Sequence, residues 1–249
     1  MSKKICISCA LLILSLNISA KDYKASLFDI KSDGITLNTE SIQYAIDYIS
    51  ENGGGQLVFY VGRYLTGSFH LKSNVTIQLH EGAVLVAFQS IYDYFELNGT
   101  KALILGDQIE NTGIIGKGVI EGYGNGLLKS ITDQVRKGYL NESALHTKPA
   151  LIHFSRCSNV TLDGITLSNA CGDVQVYNEC NNLNINNITV KSHATPNSKG
   201  IVISNCNGAT LSHSYFDTTG SELSSDKTSI HISVKETINS KGIKLQATR

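Results

Sequence analysis

Short runs of alternating apolar and polar residues recur along the chain, each opened by Asn, Gly or another turn-forming residue. Asn74-Val75-Thr76-Ile77-Gln78-Leu79 is followed by Thr112-Gly113-Ile114-Ile115-Gly116 and Asn159-Val160-Thr161-Leu162-Asp163-Gly164-Ile165-Thr166-Leu167. Asn182-Leu183-Asn184-Ile185-Asn186-Asn187-Ile188-Thr189-Val190, Gly208-Ala209-Thr210-Leu211-Ser212 and Ser229-Ile230-His231-Ile232-Ser233 continue the series. Alternation rich in β-branched residues reads as short strands with one face buried. Asn159 and Asn182 lie 23 residues apart, Asn182 and Gly208 26. Strands at that period predict an all-β parallel solenoid, whose coils stack at roughly 4.8 Å and bury one continuous core.

One helix precedes the coils. Asn38 is placed to cap it, Glu40 lies in its first turn, Ile42, Ala45, Ile46 and Ile49 form an apolar stripe, and Gly53-Gly54-Gly55 stops it. It is expected to cap the first coil, because an open solenoid end invites edge-to-edge pairing. Two stretches break the repeat, about 88–101 and 123–148. The second carries Leu127, Leu128, Ile131 and Val135 at helical spacing and is expected to overhang one face as a wall.

Residues 1–20 form a separate element: Lys3 and Lys4, an apolar run from Ile5 to Leu16, then Asn17-Ile18-Ser19-Ala20. The run is shorter than the roughly 20 residues a spanning helix needs, and Ser19-Ala20 supplies small residues for cleavage. This predicts a signal peptide, residues 1–20, and an exported domain, residues 21–249, in the periplasm or outside the cell, with no membrane attachment after cleavage. An uncleaved anchor is the alternative.

Composition narrows the class further. The 249 residues are 41% hydrophobic and 17% charged with two Pro, a balance suited to a packed core. The formal net charge is zero, and without Lys3 and Lys4 the chain has 19 basic against 21 acidic groups. No cationic stripe exists for phosphates, which excludes nucleic acid and a polybasic membrane-surface role. Cys157, Cys180 and Cys206 each sit two positions before Asn159, Asn182 and Gly208, so they are expected to stack as an interior ladder, with Cys171 apart. A disulfide between neighbouring coils is the alternative for an exported protein. Cys6-Ile7-Ser8-Cys9 lies inside the leader, and no zinc-type spacing is present. No metal or cofactor is expected.

Several segments together resemble glycoside hydrolase family 28, the polygalacturonases and rhamnogalacturonan hydrolases. They are Asp33-Gly34 with Leu37-Asn38-Thr39, Gly53-Gly54-Gly55, Val61-Gly62-Arg63-Tyr64-Leu65-Thr66-Gly67-Ser68, Leu71-Lys72-Ser73-Asn74-Val75-Thr76, Glu81-Gly82-Ala83-Val84-Leu85 and Gly116-Lys117-Gly118-Val119-Ile120-Glu121-Gly122. The resemblance runs from about Lys24 to Thr219. It implies a right-handed, single-stranded parallel β-helix of the pectin-lyase type and an exported, metal-independent enzyme. Its implied reaction is inverting hydrolysis of a glycosidic bond in pectic polysaccharide, polygalacturonate or rhamnogalacturonan.

Inverting hydrolysis needs an acid and a base on opposite sides of the bond, about 6.5 to 9.5 Å apart. The family carries its carboxylates in Asn-Thr-Asp-Gly and, one coil later, in Thr-Gly-Asp-Asp. The matching segments here are Asn197-Ser198-Lys199-Gly200 and Thr219-Gly220-Ser221-Glu222. Lys199 and Ser221 thus replace two family aspartates, and Glu222 replaces the third with a carboxyl one methylene longer. The resemblance makes Glu222 the candidate catalytic carboxyl and Asn197 and Lys199 candidate substrate-binding residues. The family's later Gly-His-Gly and Arg-Ile-Lys segments have no counterpart before Arg249, as if the C-terminal part were missing. Asp173, Asp217, Glu179 and His193 are further polar groups expected near the cleft.

Two functional classes follow. One is a pectin-directed hydrolase whose activity is weak or lost; the other is a non-catalytic, truncated remnant or carbohydrate-binding β-helix. Asn197-Ser198-Lys199-Gly200-Ile201 recurs verbatim as Asn239-Ser240-Lys241-Gly242-Ile243, which favours a turn without chemistry. A calcium-dependent lyase lacks support, since no acidic cluster offers the roughly six to eight oxygen ligands calcium takes. Sequons at Asn74, Asn98, Asn141, Asn159 and Asn187 coincide in part with the turn-to-strand phrase and need no glycan. No helix follows the last strands, so a partly exposed C-terminal coil and self-association through it are expected.

Overall fold

The computed structural model describes residues 21–247; the expected signal peptide, with Cys6 and Cys9, lies outside the described residues. Three parallel sheets run the length of a right-handed β-helix. Each full coil contributes one strand to each sheet in turn, as in Ser158–Asp163, Thr166–Ser168 and Gln175–Asn178, followed by Asn181–Asn186, Thr189–Ser192 and Ile201–Ser204. Sheet 1 holds the strands of the repeating phrase, sheet 2 the next strand of each coil, and sheet 3 the third.

The period seen in the sequence is the stacking register. Leu57, Ile77, Ile114, Leu162, Ile185, Leu211 and Val234 pair coil to coil in one inward column of sheet 1. Its members up to Ile185 are at most 1% exposed, so each isoleucine or leucine contributes about 1.5–3 kcal/mol relative to exposure. Polar partners alternate with them, which fixes the face; a one-residue slip would expose the whole column.

The corner from sheet 3 to sheet 1 is uniform through four consecutive coils, with four-residue corners at His70 to Val75 and Ser225 to Ile230 on either side. Two residues separate Asp107 from Glu110, Ser155 from Ser158, Asn178 from Asn181, and Ser204 from Asn207. Just past it Asn74, Asn111, Asn159 and Asn182 all adopt the left-handed conformation, which asparagine tolerates better than most residues. Their side chains hydrogen-bond in series: Asn182 donates to Asn159 (2.8 Å), Asn159 to Asn111 (2.9 Å) and Asn111 to Asn74 (3.2 Å). Inside this corner Cys157, Cys180 and Cys206 are buried, and the Cys180 amide donates to the Cys206 sulfur at 3.3 Å. All four described cysteines are free thiols.

The corner from sheet 2 to sheet 3 varies instead. It takes two residues between Thr66 and Phe69 but 12 between Ala87 and Thr100 and 28 between Glu121 and Ala150. Both long insertions therefore enter at the same edge of sheet 3. The first folds into a hairpin, Phe95–Leu97 antiparallel to Thr100–Ala102. The second contains helix α2, Gly124–Arg136, with Leu127 and Ile131 buried against the coils and Leu128 and Val135 partly so.

Helix α1, Thr39–Glu51, buries Ile42, Ala45, Ile46 and Ile49 against the first coil. At the other end the chain turns back on itself: Ile238 bridges Lys244 antiparallel and the Leu245 amide donates to Thr237 O. Ile230 and Ile243 stay half exposed or more. Asn197–Ile201 and Asn239–Ile243, identical in sequence, fold differently. In the first Asn197 is left-handed and the chain enters sheet 3; in the second the Asn239 side chain accepts from the amides of Lys241 and Ile243 and Gly242 is left-handed.

Candidate functional site

The entrance to sheet 3 is where the varied corner brings chemistry together. Extending the strand register back from Gln175, Ile201 and Leu223 stacks Ala150, Asp173, Lys199 and Ser221 in one column. The backbone confirms the stacking, with the Val174 amide donating to Lys199 O (2.8 Å) and the Gly200 amide to Ser221 O (3.0 Å). Asp173 Oδ1 accepts the Lys199 amide at 3.0 Å, so one carboxylate oxygen is committed to the turn above it.

Ser198 is the rivet of this turn. It is 1% exposed, donates to Gly172 O (2.7 Å) and contacts Ser192 Oγ (3.2 Å), while its amide donates to Thr219 Oγ1 (3.1 Å). Gly172 fits because the backbone of the second insertion comes close: a Cβ there would sit 2.3 Å from Lys148 O. The two aligned depressions that result have volumes of about 270 Å³ each. His146, Lys148 and Asp173 line both. Asn197 and Ser198 complete one; Thr100 and Lys101 of the hairpin, with Val176 on the outer face of sheet 3, complete the other.

The insertion hairpin also covers the earlier coils of sheet 3. Asn98 Nδ2 donates to Ser155 Oγ at 2.9 Å, and His153 beneath is 2% exposed with its Nδ1 unpaired among the described residues. Burial holds the His153 imidazole below the ordinary histidine range, so it sits there neutral. Near the depression burial also pushes the Cys171 thiol up to about 12, which removes it as a nucleophile.

The expected site residues are thus only partly gathered. Asn197 lines the depression, and Lys199 lies beside it, tied to Asp173 through its amide. Glu222 is apart. It stands in the column of Val174, which is fully buried, and Gly200, where a Cβ would meet the ring of core Phe216 at 2.7 Å. Its Oε1 accepts from Asn239 Nδ2 at 2.9 Å. His193 and Asp217 pair at 2.9 Å at the exit of sheet 2, where the chain turns through Thr195 and Ser198 of the depression, whereas Glu179 sits exposed at the opposite edge of sheet 3. Lys101, His146 and Lys148 carried no sequence signal beyond their place at the ends of the two insertions. Among the described residues no three His, Cys, Asp or Glu side chains cluster as a metal site, and no helix is long and apolar enough to cross a membrane.

Comparison with known proteins agrees with the coil geometry. The family model for glycosyl hydrolases family 28 matches residues 55–244. A Vitis vinifera protein named "Probable polygalacturonase" is 32% identical over 221 residues, covering 80% of this chain and 43% of its own length. The chain spans about two fifths of the length of the curated relatives it matches. A solved structure from Parabacteroides merdae, described as a candidate glycosyl hydrolase, is 44% identical with a TM-score of 0.86, covering 90% of this chain and all of that one. The family 28 exopolygalacturonase of Yersinia enterocolitica shares the fold at 21% identity and a TM-score of 0.76, over 89% of this chain and 48% of its own.

Proposed function

Because this chain belongs to glycosyl hydrolase family 28, we propose that it is an exported, pectin-directed protein that holds a polyuronate at the entrance to sheet 3 and hydrolyses it weakly or not at all. The observation that carries this reading is the side-chain set around the two depressions. Lys101, His146 and Lys148 face one acid, Asp173, an arrangement suited to an anionic polymer. Above Asp173 the column offers an ammonium at Lys199 and a hydroxyl at Ser221, neither of which serves as a carboxylate base.

The second reading, a carbohydrate-binding β-helix without catalysis, is favoured by one contact. Glu222, the remaining carboxyl in register with the family motif, is held by Asn239. Proton transfer needs hydrogen-bond reach to the reacting oxygen, and a displaced carboxyl loses orders of magnitude in rate. Export rests on residues 1–20 and their charged, apolar and small-residue order. The half-exposed Ile230 and Ile243 support weak self-association at the C-terminal end, read as a concentration-dependent mass in light scattering.

The experiment is reducing-end release from polygalacturonate and rhamnogalacturonan, with binding of the same polymers measured in parallel. Binding that weakens in Lys148→Ala, with little or no release, is expected. Vigorous release that disappears in Glu222→Gln would make Glu222 the catalytic carboxyl. Absence of binding to either polymer would sink the proposal.

A further inference from the structure

The largest of the described depressions lies at the other end of the molecule. Its volume is about 470 Å³, within the range of small-ligand sites, and it is lined by Lys21, Asp22, Tyr23, Leu27, Phe28, Tyr44 and Tyr48. Helix α1 supplies Tyr44 and Tyr48, one turn apart on the face opposite its buried isoleucines, 63% and 40% exposed. Phe28 packs edge-on against both, at 6.2 and 5.6 Å between centroids, and Tyr23 packs edge-on against Tyr48 at 6.0 Å. The Lys21 ammonium lies 4.6 Å from the centre of the Tyr23 ring.

Two features distinguish this from an ordinary apolar patch. Tyr23 is 5% exposed, and its hydroxyl makes no hydrogen bond of normal geometry among the described residues, its nearby polar group being the Lys21 ammonium, whose proton affinity it raises. A buried unpaired hydroxyl costs about 1–3 kcal/mol, which a partner arriving in the cavity would offset. Three of the four rings also carry hydroxyls, so the wall is apolar in its faces and polar at its rim. The cavity's fixed charges, Lys21 and Asp22, balance, unlike the cationic set at sheet 3.

We propose that this aromatic cavity is a second carbohydrate site that takes a neutral pyranose chain. A pyranose offers an apolar C–H face to the rings of Tyr44, Tyr48 and Phe28 and an edge of hydroxyls to the Tyr23 and rim groups. Even with the α-ammonium that cleavage after Ala20 would add at Lys21, the rim carries one net positive charge, short of the several that a polyuronate or an anionic lipid surface would call for. The site goes beyond the reading given for sheet 3 and does not depend on it.

The test uses a neutral tetrasaccharide of β-1,4-linked galactopyranose, with tetragalacturonate as the charged counterpart. The chain has 11 Tyr and no Trp, so tyrosine fluorescence reports binding directly. Saturable quenching by the neutral tetrasaccharide is expected, weakened about tenfold in Tyr44→Ala/Tyr48→Ala, whose side chains are exposed. Tyr23→Phe should fold and be at least as stable as the parent, since the hydroxyl makes no hydrogen bond among the described residues, yet bind more weakly. Lys148→Ala should leave this binding unchanged, which separates it from the site at sheet 3. No saturation below about 10 mM, quenching only by tetragalacturonate, or affinity unaffected by the double tyrosine substitution would overturn the proposal. So would a dimer that the double substitution dissolves, because the cavity would then be an interface.

Discussion

Asn239 donates a hydrogen bond to Glu222 at 2.9 Å, joining two polar side chains at positions that stack on Gly200 and on core Phe216 in the preceding coil. The interior column therefore ends in a hydrogen-bonded pair where solvent begins. Asn239→Asp would set a second carboxylate against the first. We expect a loss of roughly 1–2 kcal/mol at pH 7. Protonation relieves the repulsion, so the folded variant binds a proton more readily than the unfolded chain. Relative to the parent, its stability should return as pH falls to 4 and be lost as pH rises, read by thermal melting at both values. Equal deficits at both would refute the contact.

The asparagine series makes a graded prediction. Asn159 is left-handed, donates to Asn111 and accepts from Asn182. Asn159→Ala loses both bonds and keeps the strained backbone, at a cost of about 1–2 kcal/mol, whereas Asn159→Gly is relieved of the strain. Urea unfolding should rank the parent above Gly and Gly above Ala. A reversed order for the two variants would show that the backbone conformation there is not as described.

His153 sets a pH dependence. Its folded proton affinity is depressed below the ordinary value of 6.5, so the stability it contributes is full above that value and declines as pH falls through and below it. The groups facing it include the hairpin residue Thr100 and the charge of Asp107. His153→Leu should flatten the loss of stability below pH 6.5 and reduce hydrogen exchange of residues 95–101 at pH 5. An unchanged slope would assign the acid sensitivity elsewhere.

The cysteines should be silent until the protein unfolds. Cys157, Cys171, Cys180 and Cys206 are free and at most 2% exposed, and burial raises the Cys171 thiol to about 12. Alkylation at pH 8 should therefore leave all four unmodified in the native protein and label all four in denaturant without a reductant. Labelling that requires reduction would show an interior disulfide between coils.

The coil repeat was legible in the sequence because stacking makes each turn repeat the same inward and outward choices. The columns of Ile77 and Cys157 followed directly from spacing. The site was legible only in part. Whether Ser221 or Glu222 joins the column of Asp173 depends on a single-residue register, and alternation sends neighbours to opposite faces. Lys101, His146 and Lys148 reach the depression from insertions that obey no period. The two copies of Asn-Ser-Lys-Gly-Ile show the same limit, since one is carried into sheet 3 and the other bends back toward Thr237.

The uniform corner and the varied corner divide the labour of change in this molecule. Adding one residue near Asn159 would break the side-chain series with the coils on either side, while the edge between sheets 2 and 3 has already accepted 12 residues in one coil and 28 in another. New surface can thus be grafted beside the depression without renegotiating the spine. The chemistry of that surface can be revised by insertion and deletion, with the stacked core inherited intact.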